Sequence, residues 1–315
     1  SHFLGGLVGP VGGLVGLGGH QLMAAITRAG LVGAALAAAG MVAATLTEPA
    51  MRVDVRQLGD ERILAVDLHV HTVPGDGALL PWDLAREARR RGLDAIAITA
   101  HNQMLAIHAT KPLSTPFGVL LIPGAEVTTP SVHIAAIDLD HAVDWRGSIA
   151  SIVAAVHAQG GVAIAAHPAE ADRLAWTDEG FRLVDGVEVA HPTMYVSPRD
   201  RADLKSAYAQ ALQVHPTIAA IGSSDEHTAE PIGLCRTYVF VRAVTTEGIV
   251  DAIRRGRTVA CDGDGVATGP ALLAAAVADA CRADAAAGQR TPAGPRLATA
   301  VAWIGLVALA FCGFA

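Results

Sequence analysis

The chain has 315 residues, 52% hydrophobic and 17% charged, with a formal net charge of -7 and a mean hydropathy of +0.40. These values exclude a disordered chain and a nucleic-acid binder that works by bulk positive charge. They are also too apolar for an ordinary soluble enzyme, and the excess sits at the ends: Glu48 to Val266 holds 47 of the 53 charged residues, close to the soluble norm.

Residues 1–50 form a hydrophobic flank. Its runs Phe3 to Gly19 and Ala29 to Thr47, separated by a segment with His20 and Arg28, are each just long enough to cross a bilayer and predict two membrane helices. The glycines and Pro10 of the first run are tolerated in such helices. Residues 51–266 read as a globular domain, 267–296 as a linker, and 297–315 as an uncharged segment able to form a further membrane helix. The protein is thus expected at a membrane. Arg52, Arg56, Arg62, Arg290 and Arg296 outweigh Arg28 and favour a cytoplasmic domain, although long domains often ignore that rule. Cys235, Cys261, Cys281 and Cys312 show no framework spacing and read as buried thiols.

Within the domain, Ile63 to Leu68 reads as a strand that runs into His69, and Pro81 opens a helix that Gly92 closes. Leu93 to Thr99, Val119 to Ile122, Val132 to Ile137, Gly161 to Ala166, Gly186 to Val189 and Thr217 to Ile221 read as buried strands. Ile149 to Gln159, Arg199 to Gln213 and Thr246 to Arg255 read as helices. Strands buried on both faces and joined by helices predict a mainly parallel α/β sheet with its chemistry at the carboxyl ends of the strands.

Polar residues do collect there. His69 and His71 stand at i and i+2, so both imidazoles point to one face. With 13 histidines in the chain, a single His-x-His carries little weight; the repetition carries it. His101 follows the second strand run, Glu126 the third, His133 opens the fourth, His167 ends the fifth, and Asp225 and His227 follow the run to Ile221. Asp76 adds a carboxylate in a Gly-Asp-Gly turn. A catalytic zinc takes only three protein ligands, so this set predicts two or three divalent ions sharing a carboxylate. Nitrogen and oxygen donors without thiolate suit Mn, Fe or Zn.

The ordered motifs Asp67-Leu68-His69-Val70-His71-Thr72, Thr99-Ala100-His101-Asn102, Pro123-Gly124-Ala125-Glu126, His167-Pro168 and Ser224-Asp225-Glu226-His227 resemble the polymerase-and-histidinol-phosphatase (PHP) superfamily. The resemblance covers about residues 60 to 262 and implies a distorted seven-stranded β/α barrel with a trinuclear site at its C-terminal face. It assigns His69, His71, Glu126 and Asp225 to one ion. Glu126 would bridge to a second held by His133 and His167, and Asp76, His101 and His227 would hold a third. Ala100 departs from the family pattern, which has Asp before this histidine and so leaves the third ion less supported.

Asp67 is expected to face away from the histidine pair in a supporting role. Asn102, His191 and Arg173 are candidate substrate contacts, with Arg199 and Arg236 as further phosphate-binding candidates and Glu188 near the mouth. His2, His20, His108, His141, His157 and His215 fall outside the pattern. The expected reaction is hydrolysis of a small-molecule or nucleotide phosphoester by a metal-bridging hydroxide, with Glu126, Asp225 and His227 as catalytic residues. Two alternatives are a carboxyl-ester, carbamate or lactone hydrolase and a non-catalytic metal-binding module on a membrane scaffold. Nothing in the sequence points to duplex nucleic acid as a partner.

Overall fold

The computed structural model describes residues 11–46, 56–105, 118–169, 172–192, 197–227 and 232–288, together with 301, 304, 305, 307 and 308. It divides into two compact units, one of Ser1–Glu48 with Gly294–Ala315 and one of Pro49–Ala293.

In the first unit a single 36-residue helix, α1 (Val11–Leu46), replaces the two helices expected on either side of His20 and Arg28. Pro10 and Pro49 bracket it and no proline lies between, so nothing at the polar interruption removes a helical hydrogen bond. Within α1, Ile26–Ala43 is long and apolar enough to cross a membrane. Gly33, Ala37 and Gly40 are buried, whereas Leu31, Val32, Leu36 and Val42 are exposed. Gly305 lies so close to this helix that a Cβ there would stand 2.5 Å from the Gly33 carbonyl oxygen. The rest of the expected third membrane run, apart from the five helical residues named above, falls outside the described residues.

The second unit is built on a mixed sheet. Its strands are β1 (Arg56–Leu58), β2 (Glu61–Val70), β3 (Ala95–Ile98), β4 (Leu120–Thr128), β5 (His133–Ile137), β6 (Val162–Ala165), β7 (Gly186–Ala190), β8 (Ala219–Gly222), β9 (Arg236–Val241), β10 (Thr258–Cys261) and β11 (Ala267–Thr268). The path runs β11-β10-β9-β2-β3-β4-β5-β6-β7-β8, and β1 pairs with β2. Helices α2 (Pro81–Arg90), α3 (Ile149–Ala158), α4 (Asp172–Ala175), α5 (Asp178–Leu183), α6 (Pro198–Val214), α7 (Thr246–Arg254) and α8 (Ala271–Gly288) complete it.

Two expectations about the sheet are corrected. Eleven strands replace the implied seven, because β9 to β11 add antiparallel strands on one edge of β2 and β1 pairs antiparallel with the start of β2 on its other edge. The sheet is also mixed rather than mainly parallel: β5 runs antiparallel to both β4 and β6. Only Thr129 to Val132 join β4 to β5, enough for a hairpin and too few for a crossover helix.

The path curls back on itself. Gly222 of β8 and Thr237 of β9 exchange hydrogen bonds of 3.0 and 2.8 Å, and the Asp225 amide donates to the His69 carbonyl at 2.9 Å. Leu64, Ile122, Ile137, Ile164, Ile221 and Val239, from six strands, meet in one apolar cluster. Only a strongly curved, barrel-like sheet allows that meeting. A second cluster packs α3, α5 and α6 against the outer face through Ile152, Val156, Phe181, Ala207 and Ala211.

The stretch 267–296, expected as a linker, contains β11 and α8 instead. Its alanines hide a helical stripe: Leu273, Val277, Cys281 and Ala285 recur every four residues and are all buried. Cys261 and Cys281 form a disulfide that ties α8 to β10, so two of the expected buried thiols are oxidised. Cys235 is a buried free thiol, and Cys312 lies outside the described residues.

Candidate metal centre

Strand polarity delivers the histidines and carboxylates to one mouth. β2 ends at the His69 and His71 pair, β4 carries Glu126, and His101, His167, Asp225 and His227 follow β3, β6 and β8. His133 opens β5 rather than following it because β5 is the strand that runs the other way. His167 and Asp225 have φ of 26° and 47°, and Asn102 has 51°. Non-glycine residues rarely adopt these left-handed values, so backbone strain concentrates around the cluster.

Glu126 is the hub. Its Oε1 lies 2.7 Å from His133 Nδ1 and 3.1 Å from His167 Nε2. Its Oε2 lies 3.3 Å from Nε2 of both His69 and His71 and 2.8 Å from His101 Nδ1. Asp225 Oδ1 stands 3.1 Å from His69 Nε2 and 2.9 Å from His71 Nε2. Asp76 reaches His71, His101 and His227 at 3.0, 3.2 and 3.1 Å.

These donors fit metal ions. Nε2 of His69 and His71, Oε2 of Glu126 and Oδ1 of Asp225 are buried and lack hydrogen-bond partners. Orphaned buried polar atoms are costly, and four converging on one point need a common partner. Their spacings of 2.9 to 3.3 Å match the ~3 Å edges of a donor set around an ion at roughly 2.1 Å. Among the described residues, four groups could each hold an ion: His69, His71, Glu126 and Asp225; Glu126, His133 and His167; His71, Asp76, His101 and His227; and His167, His191 and Asp225. The first two match the implied assignments, the third adds His71, and the fourth was not anticipated.

Without ions, the carboxylates hold protons on the imidazoles. Burial disfavours the charged ring of His71, yet Asp225 and Glu126 beside it push its pKa up to about 9. Burial likewise opposes charge on His69, and the carboxylates of Asp225, Glu126 and Glu188 raise it well above the usual histidine range. Burial also opposes charge on Glu126, but His69 and the other imidazoles around it hold it well below the usual carboxylate range.

Buried groups behind the donors fix their orientation. Glu188, fully buried on β7, accepts from His69 Nδ1 at 2.9 Å and from the His167 amide at 2.7 Å, and also receives the Ser223 hydroxyl. It thereby aims Nε2 of His69 at the hub. The sequence places Glu188 near the mouth but does not reveal this role; its signal is an acid in the middle of an apolar strand. Asp67, expected to face away, stands two residues before His69, and its carboxylate accepts from the amides of His69, Ser224 and Gly233. Burial pushes its pKa up to about 6. A Cβ on Gly77 would meet the backbone of His71 and Thr72 within 2.6 Å, so glycine there lets the turn lie on the pair and bring Asp76 in.

The expected substrate contacts fare differently. His191 is buried inside the cluster, with Nε2 3.1 Å from Asp225 Oδ2, rather than at an open surface. Asn102 spends its amide on Thr128, donating to its carbonyl at 3.1 Å and accepting from its N–H at 3.0 Å. Thr128, unflagged by the sequence, in turn meets His101 Nδ1 through its hydroxyl at 2.5 Å; its position two residues after Glu126 is the available clue. Arg173 turns to α6, donating to Ser206 and Gln210. Arg236 is buried against the carbonyls of Gly233 and Arg91 and against Asp284, and Arg199 is exposed at the start of α6.

The model of the PHP-associated family matches residues 209–258, which include Asp225 and His227. An uncharacterised protein of Methanocaldococcus jannaschii is 31% identical over 138 residues, covering 40% of this chain and 81% of that one. A 5'-3' exoribonuclease of Haemophilus influenzae is 30% identical over 78 residues, 24% of this chain and 28% of that enzyme, so the chain spans only about a quarter of its length. Among solved structures, a two-domain protein of Bacteroides vulgatus containing a predicted PHP-like metal-dependent phosphoesterase superposes with a TM-score of 0.55 at 22% identity. That match covers 68% of this chain and 69% of the other and supports the fold. With the ordered histidine and carboxylate motifs gathered on one mixed barrel-like sheet, these matches identify the chain as a member of the polymerase-and-histidinol-phosphatase superfamily.

Proposed function

We propose that the protein is a metal-dependent phosphoesterase that hydrolyses a nucleotide or other small phosphoester at a centre of two or three divalent ions. The observation that carries this reading is the convergence of four orphaned buried atoms, one of them Oε2 of Glu126, whose two oxygens face different donor groups. Ions bound there would supply Lewis acidity, lowering the pKa of water and offsetting negative charge that develops on the phosphoryl and leaving oxygens. Mn, Fe and Zn all suit the donor set.

The chain's own residues do the rest. Glu126 and Asp225 gather negative charge at the buried floor and set the spacing of the donor groups. Asp76, His101 and His227 form the open edge, with side chains 45%, 32% and 33% exposed against 0% for His69, so the substrate enters from that side. With two ions bound and the His71, Asp76, His101 and His227 group free of metal, His227 stands next to Asp76 and can pass a proton from Nε2 to the departing oxygen. The name of the exoribonuclease relative supports a phosphodiester or nucleotide substrate over a carboxyl ester.

A panel of aryl phosphates, phosphodiesters and carboxyl esters with added Mn tests the reaction. Turnover of phosphoesters is expected; turnover of carboxyl esters alone would reject it. Membrane attachment is part of the proposal, supported by α1, which buries Gly33, Ala37 and Gly40 on one side and exposes Leu31, Val32, Leu36 and Val42. Release of the protein from membranes by an alkaline carbonate wash would count against it.

A further inference from the structure

Beside the metal centre lies a hollow that the proposed reaction does not use. The tip of the β4–β5 hairpin, Thr129 to Val132, faces the segment Trp145 to Ile149 across a cavity of about 270 Å³. The two residues that close this hairpin, Thr128 and His133, are paired in register, and both touch the cluster, one through His101 and the other through Glu126. The same short hairpin is therefore a wall of the hollow and part of the metal centre.

The lining is mostly apolar. Pro130, Val132, Trp145 and Ile149 supply apolar surface. The Arg146 guanidinium lies over the Trp145 ring, 4.4 Å from its centroid, and is 69% exposed. The Trp145 ring itself packs against the outer-face core cluster, so the guanidinium seated on it supplies the planar stacking surface, of a kind that takes nucleobases. A second phosphate fits less well. The start of α3 is capped by Ser148, whose hydroxyl accepts from the Ser151 amide, and Arg146 is already drawn to Asp144 at 3.4 Å. The volume suits one ring system and is small for a larger ligand.

We propose that this hollow is a base-binding subsite, which holds one nucleobase of a nucleotide or oligonucleotide whose scissile phosphate sits at the metal centre. The proposal rests on the phosphoesterase reading and names its substrate class. Thr129 keeps the wall in shape, its hydroxyl donating to the Val132 carbonyl at 2.8 Å and accepting from the Val132 amide at 3.0 Å. Asn102 anchors the base of the hairpin through Thr128.

The test compares adenosine 5′-monophosphate with ribose 5-phosphate, which lacks only the base, on the full chain with Mn. Both calorimetric affinity and kcat/KM are measured. The wild-type protein is expected to prefer the nucleotide by about 10-fold or more, and Trp145→Ala to cut that preference by roughly 10-fold. Trp145→Phe should keep most of it. Arg146→Ala, at an exposed position, gives a second reading should Trp145→Ala fail to fold, with a loss of about 5-fold expected. Equal handling of the two ligands by the wild-type protein, or equal losses for both in the variants, would overturn the subsite while leaving phosphoester hydrolysis intact. A base preference in binding with no hydrolysis of either ligand would keep the subsite and reject the phosphoesterase reading.

Discussion

Glu126→Gln is expected to lower phosphoester turnover by about 10³-fold or more and to reduce the metal content of the purified protein. Removing a group that merely orients a ligand costs roughly 10- to 100-fold, and Glu126 is a direct donor candidate whose two oxygens serve separate groups. The amide keeps the shape but has one acceptor oxygen and no charge. It can face His133 and His167, or His69, His71 and His101, but not both sets. The fold should survive, since Glu126 touches histidines rather than the apolar clusters. Turnover and metal content near the wild-type level in Glu126→Gln would remove the hub from the mechanism.

The metal-free protein should lose stability as pH rises from about 6.5 to about 9, and the metal-loaded protein should not. The direction follows from proton linkage. Carboxylates hold the folded-state pKa of His71 at about 9 against an ordinary 6.5, with burial opposing them. A histidine whose pKa is raised by folding stabilises fully below its unfolded value, and that contribution disappears as pH climbs through the folded value. For His71 alone it is on the order of 3 kcal/mol, and His69 and His167 shift in the same direction. Bound ions replace these protons, so metal affinity should tighten over the same window and loading should release protons. Urea unfolding of chelator-treated and Mn-loaded protein at both ends of the window measures this. A metal-free protein that gains stability as the pH rises would contradict it.

Much of the site is legible in the sequence because strand ends fix it. Residues that end strands running in one direction appear at one mouth, and β2, β3, β4, β6 and β8 share a direction, so His69, His71, His101, Glu126, His167 and Asp225 declare themselves by position. His133 joins the same mouth from the start of its strand because β5 runs antiparallel to β4. What local pattern cannot show is which distant side chain meets which. Asn102 and Arg173 have the chemistry to bind phosphate, yet tertiary contacts commit them to Thr128 and to α6. His191 and Glu188 gain their places only when β7 comes to lie between β6 and β8.

The fold shows the same division. Most strands and helices between Ile63 and Arg255 follow from periodicity, but the short helices α4 and α5 and the strands β9 and β10 escape it, and with those strands the antiparallel side of the sheet. Alanine-rich composition masked α8 as a linker. The stripe through Leu273, Val277 and Cys281 was present in the sequence, and burial together with the disulfide to Cys261 makes it visible.

Metal content of the purified full chain, measured by elemental analysis after loading with Mn and removal of free ion, tests the central claim most directly. The donor geometry predicts two to three ions per chain, falling in Glu126→Gln. Less than one ion per chain in the wild-type protein would contradict the metal centre and, with it, the proposed hydrolysis.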